Sequence, residues 1–164
     1  MHYSSRIEVR SKGFSDVIDI TAEVASILEK SGLSDGIISI FVPGSTASVT
    51  TIEYEEGVID DLKNAIERIV PSTVAYKHDR RWGDGNGFSH VRAAFLKPGL
   101  TVPFMDKNPR SEHGSRLFSL TLTTARENAA LSFRLSVIET VVEKPPPRVA
   151  KWLIRSGGQP DYKK

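Results

Sequence analysis

The sequence predicts an α+β fold, a single compact domain with a mixed β-sheet and two main helices. Three observations predict it. The chain has 164 residues, enough to bury one sizeable core and short of the length at which a second is expected. Short β-branched runs are interspersed with two longer stretches of helical period. Strands and helices interleave without the regular strand–helix–strand repeat of a parallel sheet.

The elements follow in order. Ile7 and Val9 alternate with Arg6, Glu8 and Arg10, the pattern of a strand with one wet face. SDVIDITAEVASILEKSG, residues 15–32, puts Val17, Ile20, Val24, Ile27 and Leu28 on one helical stripe, with Ser15 or Asp16 as N-cap and Gly32 past the end. IISIFV (37–42) and ASVTTIEY (47–54) read as strands joined by a PGST corner. The second helix lies in EYEEGVIDDLKNAIERIVP, with Val58, Leu62, Ile66 and Ile69 in period and Pro71 as the stop. TVAYKHD predicts a short strand, FSHVRAAF a short helix, and LTVPFMD a strand with Pro103 near an edge or bulge.

Composition excludes several classes of function. There is no cysteine, so any metal site must use His, carboxylate or carbonyl groups. That absence also suits a reducing compartment, and no stretch has the length of a membrane-spanning helix, so a cytoplasmic protein with no membrane partner is expected. Residues 140–164 hold six Lys/Arg and two Asp/Glu, so the net charge of +2 comes from the tail and the rest is slightly acidic. A basic, Pro-containing tail is a weak reason to expect nucleic acid, and none is expected.

The chemistry concentrates in two stretches. PGSTAS, residues 43–48, offers a glycine, three hydroxyls and backbone N–H groups that can hold an anion, although it lacks the spacing and lysine of a P-loop. KHDRRWGDGNGFSHVRAAFL, residues 77–96, sets His78 and His90 on either side of a glycine-rich loop. Two neutral imidazoles with a carboxylate such as Asp79 or Asp84 suit zinc or another divalent cation, or acid–base work near neutral pH. Arg92 offers a fixed positive charge for phosphate, and Trp82 either stacks on a ligand or anchors the loop.

GSTASVTTIEYEEGVIDDL, IVPSTVAYKHD, GDGNGFSHVRAAFL and LTVPF, in this order between about Ile37 and Asp106, resemble the YjbQ-like family, the so-called secondary thiamine-phosphate synthase proteins. The resemblance implies a compact α+β domain assembled as a homotrimer. It also implies an activity, the joining of a hydroxymethylpyrimidine diphosphate to a thiazole phosphate with loss of pyrophosphate. Carried onto this chain, it makes His78, His90, Arg92 and Glu53 candidate catalytic residues, with Gly44, Ser45, Thr46, Asn86 and Ser89 holding the small phosphorylated substrate. His78, His90 and Asp79 are the candidate metal ligands, and the departing pyrophosphate would suit Mg²⁺. Many family members have a histidine where this chain has Gly44, so one imidazole of the pattern is missing. The competing expectations are a metal-dependent hydrolase of a small phosphorylated compound and a non-catalytic small-molecule-binding trimer.

On this reading the YjbQ-like domain spans residues 1–107, and beyond it the letters depart from the family. Reading across codon boundaries restores family letters in order: Glu112 into His113 encodes Thr or Ala, His113 into Gly114 encodes Trp or Arg, and Gly114 into Ser115 permits Gln. Ile138 into Glu139 permits a stop codon. Residues 108–139 are therefore expected to be an out-of-frame replacement of the last family strands, and 140–164 read-through. The alternative is a genuine replacement hairpin, because LFSLTLTT and LSFRLSVIETVV also read as strands.

Overall fold

The computed structural model describes residues 1–109, 115–121 and 129–139. Within them the order is β1 (His2–Ser11), β2 (Asp16–Asp19), α1 (Thr21–Ser31), β3 (Gly36–Phe41), β4 (Ala47–Glu53), α2 (Glu56–Ile69), α3 (Lys77–Trp82), α4 (Gly87–Leu96), β5 (Gly99–Met105), β6 (Asn108–Pro109), β7 (Ser115–Thr121) and β8 (Ala129–Glu139). The fold is α+β, as expected. The sheet is not mixed: the strands form a five-stranded sheet in the order β1-β8-β3-β5-β6 and a three-stranded sheet in the order β2-β7-β4. Every pairing among the described residues is antiparallel, because no connection crosses over a sheet to return in the same direction.

The two sheets enclose the main core. Ile38, Ile40, Val102, Phe104, Phe133, Leu135 and Val137 face inward from the five-stranded sheet. Ala47 and Val49 on β4 and Val24, Ile27 and Leu28 on α1 meet them. The alternation along β8 puts Phe133, Leu135 and Val137 in the centre at 0–1% exposure, which is where large apolar side chains stabilise most. A second, smaller core lies on the other face of the three-stranded sheet, where Val17 meets Ile66 of α2 and Ala93 of α4. No helix among the described residues is long and apolar enough to cross a membrane.

Two local expectations are corrected. DVID is β2, paired with β7, rather than the first turn of α1. Lys12 N–H donates to Asp16 Oδ2 at 2.8 Å, and Gly13, Phe14 and Ser15 all take positive φ, so a tight turn sends Val17 and Ile18 into the second sheet. The helix then starts at Thr21, whose N–H is accepted by Asp19 Oδ1, and ends on left-handed Gly32 as read. TVAYKHD, residues 73–79, is not a strand: residues 73–76 form neither helix nor strand, and 77–82 are helix α3, which closes on Gly83 at φ 71°, whose N–H donates to the Asp79 carbonyl. The other expected elements are present. Glu55 caps α2, its carboxylate accepting from the N–H groups of Gly57 and Val58.

The C-terminal letters also form strands. β7 bridges β2 and β4, and β8 pairs with β1 over ten residues and with β3 over six. The last strands among the described residues are thus formed by residues 115–121 and 129–139. The expectation of a basic read-through tail at 140–164 lies outside the described residues.

Candidate functional site

The loop between the two histidines is built by three glycines with different jobs. Gly83 and Gly85 take φ of 71° and 66°, the left-handed region that costs other residues. Gly87 is needed for space: a Cβ there would lie 2.6 Å from Tyr76 Cβ and 2.9 Å from Asp79 Oδ1. Its N–H instead donates to Asp79 Oδ1 at 2.7 Å, which ties the start of α4 to α3.

That tie brings the histidines together. The rings of His78 and His90 lie 4.5 Å apart, inclined by 43°. His78 Nδ1 is 3.3 Å from Asp84 Oδ1 and 3.7 Å from Asp79 Oδ1, yet it is buried without a hydrogen bond. One donor atom from each of His78, Asp79 and Asp84 falls within 4.8 Å of the others. Donors about 2.1 Å from a shared cation stand ~3.0–3.4 Å apart in octahedral or tetrahedral arrangements, so the cluster would hold a divalent cation once its wider spacing closed by roughly 1 Å. The orphaned Nδ1 is the atom such an ion would satisfy.

His90 stands beside the cluster. Its Nδ1 lies 3.1 Å from the Ser45 carbonyl oxygen, so Nδ1 carries the proton and Nε2 is left as the acceptor in the neutral ring. Of the candidate metal ligands, His78 and Asp79 converge with Asp84; His90 can join only through Nε2. Gly44, Ser45, His90, Ala93, Ala94 and Pro98 line an adjoining recess of about 250 Å³. Thr46 is half-buried beside it in the chain. Asn86 Oδ1 is buried with no hydrogen-bond partner, while its carbonyl accepts from Ser89 N–H and His90 N–H. Ser89 is fully buried.

Two expected catalytic residues stand elsewhere. Arg92 is turned into the protein, at 2% exposure. Its Nε and Nη2 donate to the Val70 carbonyl at 2.9 and 2.7 Å, Nη1 donates to Ser15 Oγ, and Nη2 pairs with the Glu67 carboxylate. The guanidinium also stacks 4.8 Å over Phe88. It therefore terminates α2 and locks α4 against it. Ser72 N–H, ahead of Arg92, holds the Glu67 carboxyl below its ordinary value. Glu53 is exposed at the far end of β4, six residues from Ala47 and so ~20 Å along the strand from the Ser45 turn. Trp82 is 66% exposed. Glu67 and Ser15, which hold the guanidinium, carry no signal in the letters that pairs them with Arg92.

The profile of the UPF0047 protein YjbQ-like family matches residues 5–132. The chain belongs to that family. The match runs past residue 107, further than the motifs alone reach. A UPF0047 protein of Methanothermobacter thermautotrophicus is 33% identical over 104 residues, covering 63% of this chain and 71% of its own. One from Mycobacterium bovis is 30% identical over 123 residues, 75% of this chain and 92% of its own. Among solved structures, a YbjQ-like protein of unknown function from Sulfolobus solfataricus superposes with a TM-score of 0.78 at 26% identity, over 85% of this chain and 99% of that one. A hypothetical protein from Aeropyrum pernix, at 19% identity and TM-score 0.75, shares the fold.

Proposed function

We propose that this YjbQ-like chain is an enzyme acting on a small phosphorylated compound with the help of a divalent cation held by His78, Asp79 and Asp84. The observation that carries the reading is the buried, unbonded Nδ1 of His78 facing two carboxylates. A structural histidine in so polar a setting would be hydrogen-bonded. Such a cation supplies Lewis-acid neutralisation of phosphate oxygens. The chain's own groups do the rest. His90, oriented by the Ser45 carbonyl, offers Nε2 to take or hold a proton. The Gly44–Thr46 turn offers backbone N–H groups and hydroxyls to an anion.

The reaction we assign first is the one the family resemblance implies, displacement of pyrophosphate from a hydroxymethylpyrimidine diphosphate by a thiazole phosphate. A homotrimer in the cytoplasm, with neither nucleic acid nor membrane as partner, completes the reading. Hydrolysis is the second reading, favoured by the free Nε2 of His90 beside the cation ligands, where it could accept a proton from water. The deciding assay supplies the diphosphate with Mg²⁺ or Mn²⁺, with and without the thiazole phosphate. Pyrophosphate release that depends on the second substrate supports the condensation, and release without it supports hydrolysis. Binding without turnover under both conditions contradicts the enzymatic reading and leaves the non-catalytic small-molecule binder.

A further inference from the structure

The outer face of the five-stranded sheet carries a second polar groove that shares no residue with the candidate site. β1 and β8 pair so that Arg6 stands opposite Arg134 and Ser4 opposite Ser136. On the other side of β8, β3 sets Ser39 beside Ser136. Side chains alternate along a strand, and the neighbours Ile7, Phe133 and Leu135 are buried in the core. The arginines therefore occupy the solvent face, and both are exposed.

A groove of about 520 Å³ is lined by His2, Ser4, Arg6, Arg134 and Ser136, together with Ser5 and Leu135. None of these is a carboxylate. Like charges directly opposite each other destabilise an antiparallel pair. Among the described residues neither arginine has an ion-pair partner. The same-face acid of β1, Glu8, stands opposite Ser132, the next pair along. Two uncompensated guanidiniums are thus held one strand spacing apart with hydroxyls on the adjoining row.

We propose that this groove binds a tetrahedral dianion of the phosphate class, gripped between Arg6 and Arg134, with Ser4 and Ser136 donating from their hydroxyls. Opposed residues in an antiparallel pair have Cα atoms ~4.5–5.5 Å apart, so two forks can approach one anion from two sides. A tetrahedral phosphate presents oxygens to both forks, whereas a planar carboxylate is filled by one. The bound dianion would relieve the repulsion across the strand pair, and the site needs no cation, unlike the one between His78 and Asp84.

The test uses the full chain with inorganic phosphate as probe, at constant ionic strength and with chelator present so that the histidine–aspartate cluster carries no metal. Amide resonances are followed by NMR. The proposal expects saturable shifts at Ser4, Arg6, Arg134 and Ser136, weakened about tenfold or more in Arg6→Gln/Arg134→Gln. Arg6→Lys, which keeps the charge and loses the fork, should bind with intermediate strength. Acetate at the same concentration should shift nothing at these positions. Absence of saturation, an equal response to acetate, or titration of the double variant like the parent chain would each overturn the proposal. A double variant with a disturbed amide spectrum leaves Arg6→Lys to decide: binding equal to the parent's also overturns it.

Discussion

Replacing Arg92 by methionine separates the structural account of this residue from a ligand-binding one. The substitution keeps an apolar stem against Phe88 and removes the guanidinium. The Val70 carbonyl then loses both of its donors from Arg92, and an unpaired buried acceptor costs ~1–3 kcal/mol. Loss of the stacking over Phe88 adds ~1–2 kcal/mol at a desolvated site. Glu67 contributes little, because its side chain is 44% exposed and rehydrates. The sum is about 3 kcal/mol, a large share of the 5–15 kcal/mol typical of a domain, and corresponds to a Tm lower by roughly 10 °C. Urea unfolding followed by circular dichroism reads it directly. A loss below about 1 kcal/mol, accompanied by loss of phosphate binding, would instead return Arg92 to the substrate.

Other predictions follow from single contacts. Gly87→Ala must displace Tyr76 or Asp79, whose atoms stand 2.6 and 2.9 Å from the new Cβ. It should destabilise by ~1–3 kcal/mol in the same unfolding assay and weaken divalent-cation binding, because Asp79 is one of the proposed ligands. Glu67, whose folded pKa is depressed first by the Ser72 N–H and then by Arg92, stabilises the fold above its unfolded value near 4.5. That contribution disappears as pH falls through the folded value. Glu67→Gln should therefore be less stable than the parent at neutral pH and differ less from it in acid, as urea midpoints at both pH values will show. For residues 108–139 the out-of-frame expectation predicts that the DNA, read two bases on, from the third base of each codon, spells Thr-Trp-Gln across codons 112–115 and meets a stop across codons 138–139. Sequencing that instead finds no such reading establishes a native replacement hairpin.

Much of the fold was legible because burial imposes period. Val24, Ile27 and Leu28 mark α1, Gly32 marks its end, and the alternating Phe133, Leu135 and Val137 mark β8. The helical stripe misled where it continued backwards into Val17. That residue is buried in a different core, and only the positive-φ turn at residues 13–15 and the pairing with β7 put it there. The antiparallel sheet was illegible for the same reason, since strand direction depends on partners far away in sequence. In the site, the glycine-rich spacing rightly suggested that His78 and His90 meet. Arg92 followed the same motif and yet turns inward, because the acceptors that claim it, Val70 and Glu67, lie on another helix. A motif shows which residues travel together, but the direction of a side chain is set by partners outside it.

The cation site at His78, Asp79 and Asp84 is tested by calorimetric titration of Mn²⁺ and Zn²⁺ into chelator-treated protein. One site per chain is expected, abolished in His78→Ala and Asp84→Asn and preserved in Glu53→Gln, with all three variants folded because none of these side chains is in the core. Failure of the parent protein to bind either ion, or equal binding by His78→Ala, would contradict it.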